Sequence, residues 1–190
     1  MPALTRRFFL MALPATGLSA CAVPGTYGPT LASPDDEEAL TQALRILGPH
    51  VDPEEAYRAA RVAYAETWRL AQLYEIEDPP LVHNSKVNLG IKSRGLCYHW
   101  ADDLERRLKQ EQFQTLQLHR AVANWDNLLL EHSTVIISAA GQSLYDGIVL
   151  DPWRRGGTLF WAPTRDDFRY TWTPRKEVFR IRRERRAAQG

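Results

Sequence analysis

Hydrophobic residues recur at helical spacing in the first half of the chain. The segment 53–74 carries apolar side chains along one face, and Asp52-Pro53 before it offers an N-cap followed by a first-turn proline. Ser33-Pro34 gives the same signal for a shorter helix, which we expect to end near Leu47, before Gly48-Pro49. The pattern therefore predicts two amphipathic helices.

A third helix is predicted from Leu96 or Cys97 to Gln110. Its apolar residues fall four positions apart and so share one face: Leu96, Trp100, Leu104 and Leu108. The region before it opens with Asp78-Pro79-Pro80 and has no helical period. We therefore expect a loop there, which contains His83, Asn84 and Asn88 and leads to Gly90.

After Gln110 the apolar pattern changes to that of β-strands. The segments 115–123, 130–138 and 147–151 are short, rich in β-branched or other apolar residues, and separated by turn sequences. Two shorter candidates follow, at 159–162 and 169–173. Because helices come first and strands follow, we expect a single α+β domain over residues 34–190, with the N-terminal helices packed on a small sheet.

The C-terminal segment from Arg175 to Arg186 is dense in Lys and Arg. This composition favours a solvated tail. Val178, Phe179 and Ile181 interrupt the basic run, so a short docked element with a basic face is the alternative. Such a face would suit contact with anionic lipid headgroups.

Residues 1–20 have the organisation of an export signal, with two arginines before a short apolar stretch. Residues 18–21, Leu-Ser-Ala-Cys, resemble a lipobox, in which the cysteine is lipidated and the chain is cut before it. We therefore predict a lipoprotein that a lipid on Cys21 anchors to a membrane, with residues 21–33 as a flexible tether. Ala22 favours the outer membrane, so the predicted location is the cell envelope, facing the periplasm.

Charge and composition narrow the classes of partner. The chain of 190 residues is 44% hydrophobic, which is enough for a core, and its formal net charge is +1. Removing residues 1–20 removes two basic side chains and no acidic ones, which leaves 22 basic and 23 acidic side chains, a net charge of −1. A nearly neutral mature protein gives no reason to expect nucleic acid as a partner. The two cysteines, Cys21 and Cys97, have separate predicted roles, so no disulfide is expected.

Three residues in the second half have the types and positions that thiol catalysis requires. A nucleophilic cysteine needs stabilisation of its thiolate, a base within hydrogen-bond reach and a group that orients the base. Cys97 lies at a predicted helix start, where free N–H groups and the helix dipole favour the thiolate. His132 is expected near the start of a strand and Asp151 at the end of the next, where its carboxylate can orient the imidazole.

A cysteine at a helix start, followed by His and Asp on successive strands, resembles the transglutaminase-like group of papain-like thiol enzymes. The resemblance covers roughly residues 88–153. It implies an α+β fold in which the cysteine-bearing helix packs on an antiparallel sheet, and a cysteine that attacks an amide carbonyl to give an acyl-enzyme. Carried over, it makes Cys97 the nucleophile, His132 the general base and Asp151 the orienting carboxylate, acting on a peptide or protein substrate without a cofactor.

Two features depart from that pattern. Many members have a Trp two residues after the histidine, where this chain has Thr134. No side chain is an obvious partner for the Cys97 N–H in an oxyanion hole, so Asn88 and His99 are candidates, and Trp153 is a further candidate for substrate contact.

Other interpretations of the same residues remain open. Cys97 and His99, with His132, offer a zinc site, but their spacing matches no structural zinc pattern. Cys97 can also be an inert buried thiol in a domain that only binds a peptide or glycan. In that case a groove lined by tryptophans is expected, drawn from Trp100, Trp125, Trp153, Trp161 and Trp172.

Overall fold

The computed structural model describes residues 28–127 and 129–190. The predicted export signal, the lipidated Cys21 and the first part of the tether lie outside the described residues. The described end of the tether, residues 28–33, contains no helix or strand. It lies along the folded body, where the Thr30 hydroxyl is 3.1 Å from the hydroxyl of Thr158.

The first two helices begin where their capping residues predict. Helix α1 spans Pro34–Arg45, and the Ser33 hydroxyl accepts from the Asp36 N–H while the Asp36 carboxylate accepts from the Ser33 N–H. Helix α2 spans Pro53–Leu73, and its cap Asp52 accepts from the first-turn N–H groups. Both predictions are confirmed, because the caps satisfy donors that the helix itself leaves free.

The predicted loop before the third helix is wrong. Residues Pro80–Asn88 form helix α3, which starts with a proline at its first position. Only one residue of this helix, His83, is buried. A helix with one inward side chain has no apolar stripe at 3.6-residue spacing, and the sequence pattern therefore gave no signal for it. Helix α4, Cys97–Lys109, begins as predicted.

Five strands form one antiparallel sheet in the order β4-β3-β2-β1-β5. Three of them match the predicted strands: β1 is Leu116–Ala123, β2 is His132–Ala139 and β3 is Ile148–Asp151. The fourth, β4, is Phe160–Pro163. The candidate strand at 169–173 is wrong, because β5 comprises only Thr173–Pro174, paired to two residues of β1.

The central strand β2 is buried along its whole length, and its two faces meet different partners. Val135 and Ile137 pack with the helices, in a core that includes Leu104 and Leu108 of α4. Ile136 packs on the opposite face, in a second cluster that contains Trp172. The domain is therefore α+β, with the helices on one face and a thin aromatic layer covering the other.

The basic C-terminal segment is not a solvated tail. Residues Arg175–Ala187 form helix α5, which follows β5 directly. Val178 is fully buried, and Arg182 donates to the Trp125 carbonyl oxygen at 2.6 Å and pairs with the Glu131 carboxylate. Val178 and Arg182 therefore help to dock a helix most of whose other residues are polar and exposed.

Candidate active site

Cys97 is the first residue of α4 and is half-buried. Its backbone N–H has no acceptor within the helix, as for any first-turn donor. The turn before it is fixed by hydrogen bonds: the Trp100 indole N–H donates to the Gly95 carbonyl oxygen at 3.0 Å, and His99 Nδ1 accepts from the N–H groups of Gly95 and Leu96 at 3.1 and 3.2 Å. The backbone that carries the sulfur is therefore held in one conformation.

Helix α3 is held against this turn through His83. The imidazole Nε2 of His83 donates to the Arg94 carbonyl oxygen at 2.9 Å, and the ring lies directly against Gly95. Gly95 has a φ of +125°, and a Cβ there would lie 2.3 Å from His83 Nε2. Only glycine allows both this backbone conformation and this close approach.

His132 and Asp151 form a buried pair where β2 begins and β3 ends. His132 Nε2 donates to Asp151 Oδ2 at 2.7 Å, and the two side chains are only 2% and 1% exposed. Antiparallel pairing of β2 with β3 puts both residues on the same face of the sheet. The carboxylate therefore fixes which ring nitrogen faces away from it, namely Nδ1.

Aromatic rings hold the imidazole on that face. The centroids of the Trp153 and Tyr170 rings both lie 4.7 Å from the His132 ring, and that of Trp172 lies 5.6 Å away. The ring therefore has little freedom to rotate away from Asp151.

Arg154 supports the carboxylate from its other side. Its Nε donates to Asp151 Oδ2 at 2.9 Å, and its two terminal nitrogens donate to Asp167 at 2.9 and 2.7 Å. The indole N–H of Trp172 also donates to Asp167. Two buried carboxylates thus share one guanidinium, which leaves one negative charge that a protonated His132 neutralises.

The sulfur of Cys97 lies beside His132. Its thiol is 3.8 Å from the carbonyl oxygen of Glu131, the residue before His132. Nδ1 of His132 is buried and has no hydrogen-bond partner among the described residues. Burial by itself lowers the pKa of His132. The charge and hydrogen bond of Asp151, with a further contribution from Cys97, outweigh burial and raise the pKa to about 9.

The pKa of Asp151 shifts in the opposite direction. Burial alone would raise it, but the positive charges and hydrogen bonds of His132 and Arg154 hold it below its usual range. A protonated imidazole between an ionised carboxylate and a sulfur is therefore the favoured state near neutral pH.

The sulfur opens into a cleft of about 520 Å³ between α3, the loop before β2 and the aromatic layer. Asn84 lines this cleft, and its Oδ1 accepts from the Trp153 indole N–H at 3.0 Å. Since an indole N–H only donates, Trp153 occupies the Asn84 oxygen and leaves the amide N–H₂ group unused by that contact. The Asn84 Nδ2 atom has no hydrogen-bond partner among the described side chains.

The structure brings together four of the six predicted site residues: Cys97, His132, Asp151 and Trp153. It does not bring Asn88 to the cleft, because that residue is exposed at the last turn of α3. His99 is occupied by the two backbone N–H groups that it accepts, and burial and the nearby Arg94 charge lower its pKa.

Thr134, where the family pattern has a Trp, is buried and donates from its hydroxyl to the Leu150 carbonyl oxygen at 2.8 Å. Trp153, in the loop after β3, lies beside the His132 ring. The wider tryptophan groove is not formed, since Trp100 and Trp172 are core residues and Trp161 bonds Tyr64 on the helical face.

Two residues of the site, Asn84 and Arg154, were not predicted from the sequence. The signal for Asn84 was the pair Pro79-Pro80, which starts a helix as readily as it ends one. The signal for Arg154 was its position three residues after Asp151, within reach of that carboxylate across a turn.

No protein-family model, curated protein or solved structure matches this chain. Within residues 28–127 and 129–190, no three His, Cys, Asp or Glu side chains converge as a metal-binding set. Over the same ranges, no helix is both long and apolar enough to cross a bilayer.

Replacing Gly95 with Ala should cost about 2–4 kcal/mol of unfolding free energy, because the new Cβ meets the buried His83 ring on a backbone that disfavours it. Gly90 is the matched control, since its φ is +75° but a Cβ added there would meet no atom within 4 Å. Its Ala variant should lose only about 1 kcal/mol. Urea denaturation of both variants measures the difference, and equal losses would contradict the role of the His83 contact.

The His132 pair should make stability depend on pH. The pKa of His132 is raised from 6.5 to about 9. Its contribution to the free energy of unfolding is therefore complete below pH 6.5 and is lost as the pH rises through about 9. The difference in unfolding free energy between wild type and His132→Gln should therefore shrink by about 3 kcal/mol over this range. Denaturant titrations at several pH values measure it. A difference that stays constant with pH would mean that His132 is neutral in the fold.

Proposed function

We propose that this chain is a thiol enzyme that breaks or transfers the acyl group of an amide bond, with Cys97 as nucleophile, His132 as acid and base, and Asp151 as its orienting carboxylate. The observation that carries the proposal is the His132 ring: its Nε2 binds buried Asp151 at 2.7 Å and its Nδ1 has no partner among the described residues, while Cys97 lies close enough to raise the pKa of the ring and lines the same open cleft. This is the arrangement that a thiolate–imidazolium pair requires.

The first half of the reaction makes a thioester. The Cys97 sulfur attacks the carbonyl carbon, so a C–S bond forms and the carbonyl π electrons move to oxygen. When the carbonyl re-forms, the C–N bond breaks and His132 gives its proton to the departing amine. In the second half, water or another amine attacks the thioester and gives a proton to His132, and the sulfur leaves as thiolate.

The negative oxygen of the intermediate needs donors. The free backbone N–H of Cys97 is one, at the positive end of the α4 dipole. The Asn84 amide is the second, because Asn84 lines the cleft and its contact with Trp153 leaves the N–H₂ group unused. Helix α3, which His83 holds against the Cys97 turn, thus supplies the oxyanion donor that the sequence led us to expect from Asn88 or His99.

The envelope location remains part of the proposal. The lipobox-like sequence ending at Cys21 supports a lipid anchor, and substrates would then be peptide or protein amides outside the cytoplasm, without nucleic acid or a cofactor. We also propose that the α+β fold is of the transglutaminase-like kind. The alternative is a non-catalytic binding domain, for which the cleft is a binding surface and Cys97 is inert.

Cys97 should react with iodoacetamide at pH 7 about ten times faster than free cysteine, because the proposed mechanism pairs its sulfur with a protonated His132. The His132→Gln variant should fall to the rate of free cysteine. Mass spectrometry of the peptide that contains Cys97 measures the rate and separates it from Cys21. A wild-type rate no higher than that of free cysteine favours the non-catalytic alternative.

Asn84→Ala should slow acylation of Cys97 by p-nitrophenyl acetate about 100-fold, because the tetrahedral oxyanion loses a donor. Alkylation by iodoacetamide forms no oxyanion and should be unchanged. Asn88→Ala, an exposed change on the same helix, should alter neither rate. The release of p-nitrophenolate and the mass of the acetyl-enzyme measure acylation. Equal losses in acylation and alkylation would show that Asn84 acts on the fold rather than on the oxyanion.

A further inference from the structure

The cleft around Cys97 has an apolar rim that faces solvent. Leu81 of α3 is 70% exposed, and Leu130 in the loop before β2 is 62% exposed. Both line the same cleft as the sulfur, with Leu129 beside them. Large apolar side chains exposed around a reactive group mark a surface that a ligand covers.

One end of the cleft carries an unbalanced positive charge. Arg169 lines the cleft, is exposed, and has no carboxylate within 4 Å among the described residues. Its guanidinium carbon is 5.6 Å from the centre of the Tyr170 ring. Burial raises the pKa of Tyr170, so its hydroxyl stays protonated and is a second donor beside the guanidinium.

The other ionic groups of the cleft are neutralised within the protein. Arg154 is shared by Asp151 and Asp167, and Glu131 pairs with Arg182 of α5. Arg169 is therefore the charge that an anionic ligand meets.

The charge lies close enough to the reacting atoms to select substrates. The Tyr170 ring is 4.7 Å from the His132 ring and 5.6 Å from the Arg169 guanidinium, so the guanidinium is within about 10 Å of the imidazole. An extended peptide covers that distance in about three residues.

We propose that the substrate is a peptide whose reacting amide is flanked by an apolar side chain and carries a carboxylate within about three residues. The apolar side chain lies against Leu81 and Leu130, and the carboxylate binds Arg169 and the Tyr170 hydroxyl. The reaction itself rests on the proposed function of Cys97, whereas the selection rests on the rim and on Arg169.

The charge selection is tested by alkylating Cys97 with iodoacetate, which is anionic, and iodoacetamide, which is neutral. We expect Arg169→Gln to slow iodoacetate about fivefold and leave iodoacetamide unchanged. Arg165→Gln is the matched control, since Arg165 lies in the same segment but pairs with Asp146 away from the cleft. The slowing of the iodoacetate reaction by Arg169→Gln should become smaller in 0.5 M salt, where the screening length is about 4 Å. An iodoacetate rate that Arg169→Gln leaves unchanged, or that Arg165→Gln lowers equally, overturns the inference.

The apolar selection is tested with p-nitrophenyl hexanoate and acetate. We expect the wild-type protein to be acylated at Cys97 faster by the hexanoate ester than by the acetate ester. The double variant Leu81→Ser, Leu130→Ser should lose most of that difference, while its rate of acylation by the acetate ester stays unchanged. If Cys97 is neither acylated by the esters nor alkylated faster than free cysteine, the proposed function is refuted. Fast reaction without preference for charge or chain length would refute only the substrate inference.

Discussion

The buried pair of His132 and Asp151 is the constraint on which the rest of the site depends. Two side chains that are nearly inaccessible to water share one short hydrogen bond, and a guanidinium from Arg154 binds the same carboxylate. With Asp167, these groups sum to zero charge only when the imidazole is protonated. The protein therefore holds a cation beside Cys97 as a consequence of balancing its own buried charges.

Cys97 and the His132–Asp151 pair are held by separate parts of the fold. The Cys97 turn is fixed from the helical side, by Trp100, His99 and His83. The imidazole is fixed from the opposite face of the sheet, by Asp151 and the aromatic rings around it. The two assemblies meet where α4 and β2 begin, and also through Trp153, which lies beside the His132 ring, packs on the cluster that contains Trp100 and donates to Asn84 of α3. The position of the sulfur relative to the ring thus depends on how α4 packs on β2 and on these contacts of Trp153.

Sequence patterns predicted the structure correctly where local chemistry decides it. Ser33 and Asp52 cap helices whatever lies around them, and the run of β-branched residues in β2 is buried wherever it pairs. The patterns gave no sign of helix α3, which has a single buried residue, His83. For the C-terminal helix α5 they gave a docked element only as the alternative to a solvated tail, because one fully buried residue, Val178, leaves little periodic trace among basic ones.

The sequence by itself determined the α+β class and which Cys, His and Asp side chains form the candidate site, because helix caps, strand composition and residue chemistry are properties of short segments. Only the tertiary structure decided that Asn84 rather than Asn88 enters the cleft and that Arg154 braces Asp151. It also decided that Arg169 has no carboxylate partner among the described residues. These outcomes depend on which side of a helix faces the sulfur and on which charges are already paired. Both are set by contacts between residues far apart in the chain, which no local pattern records.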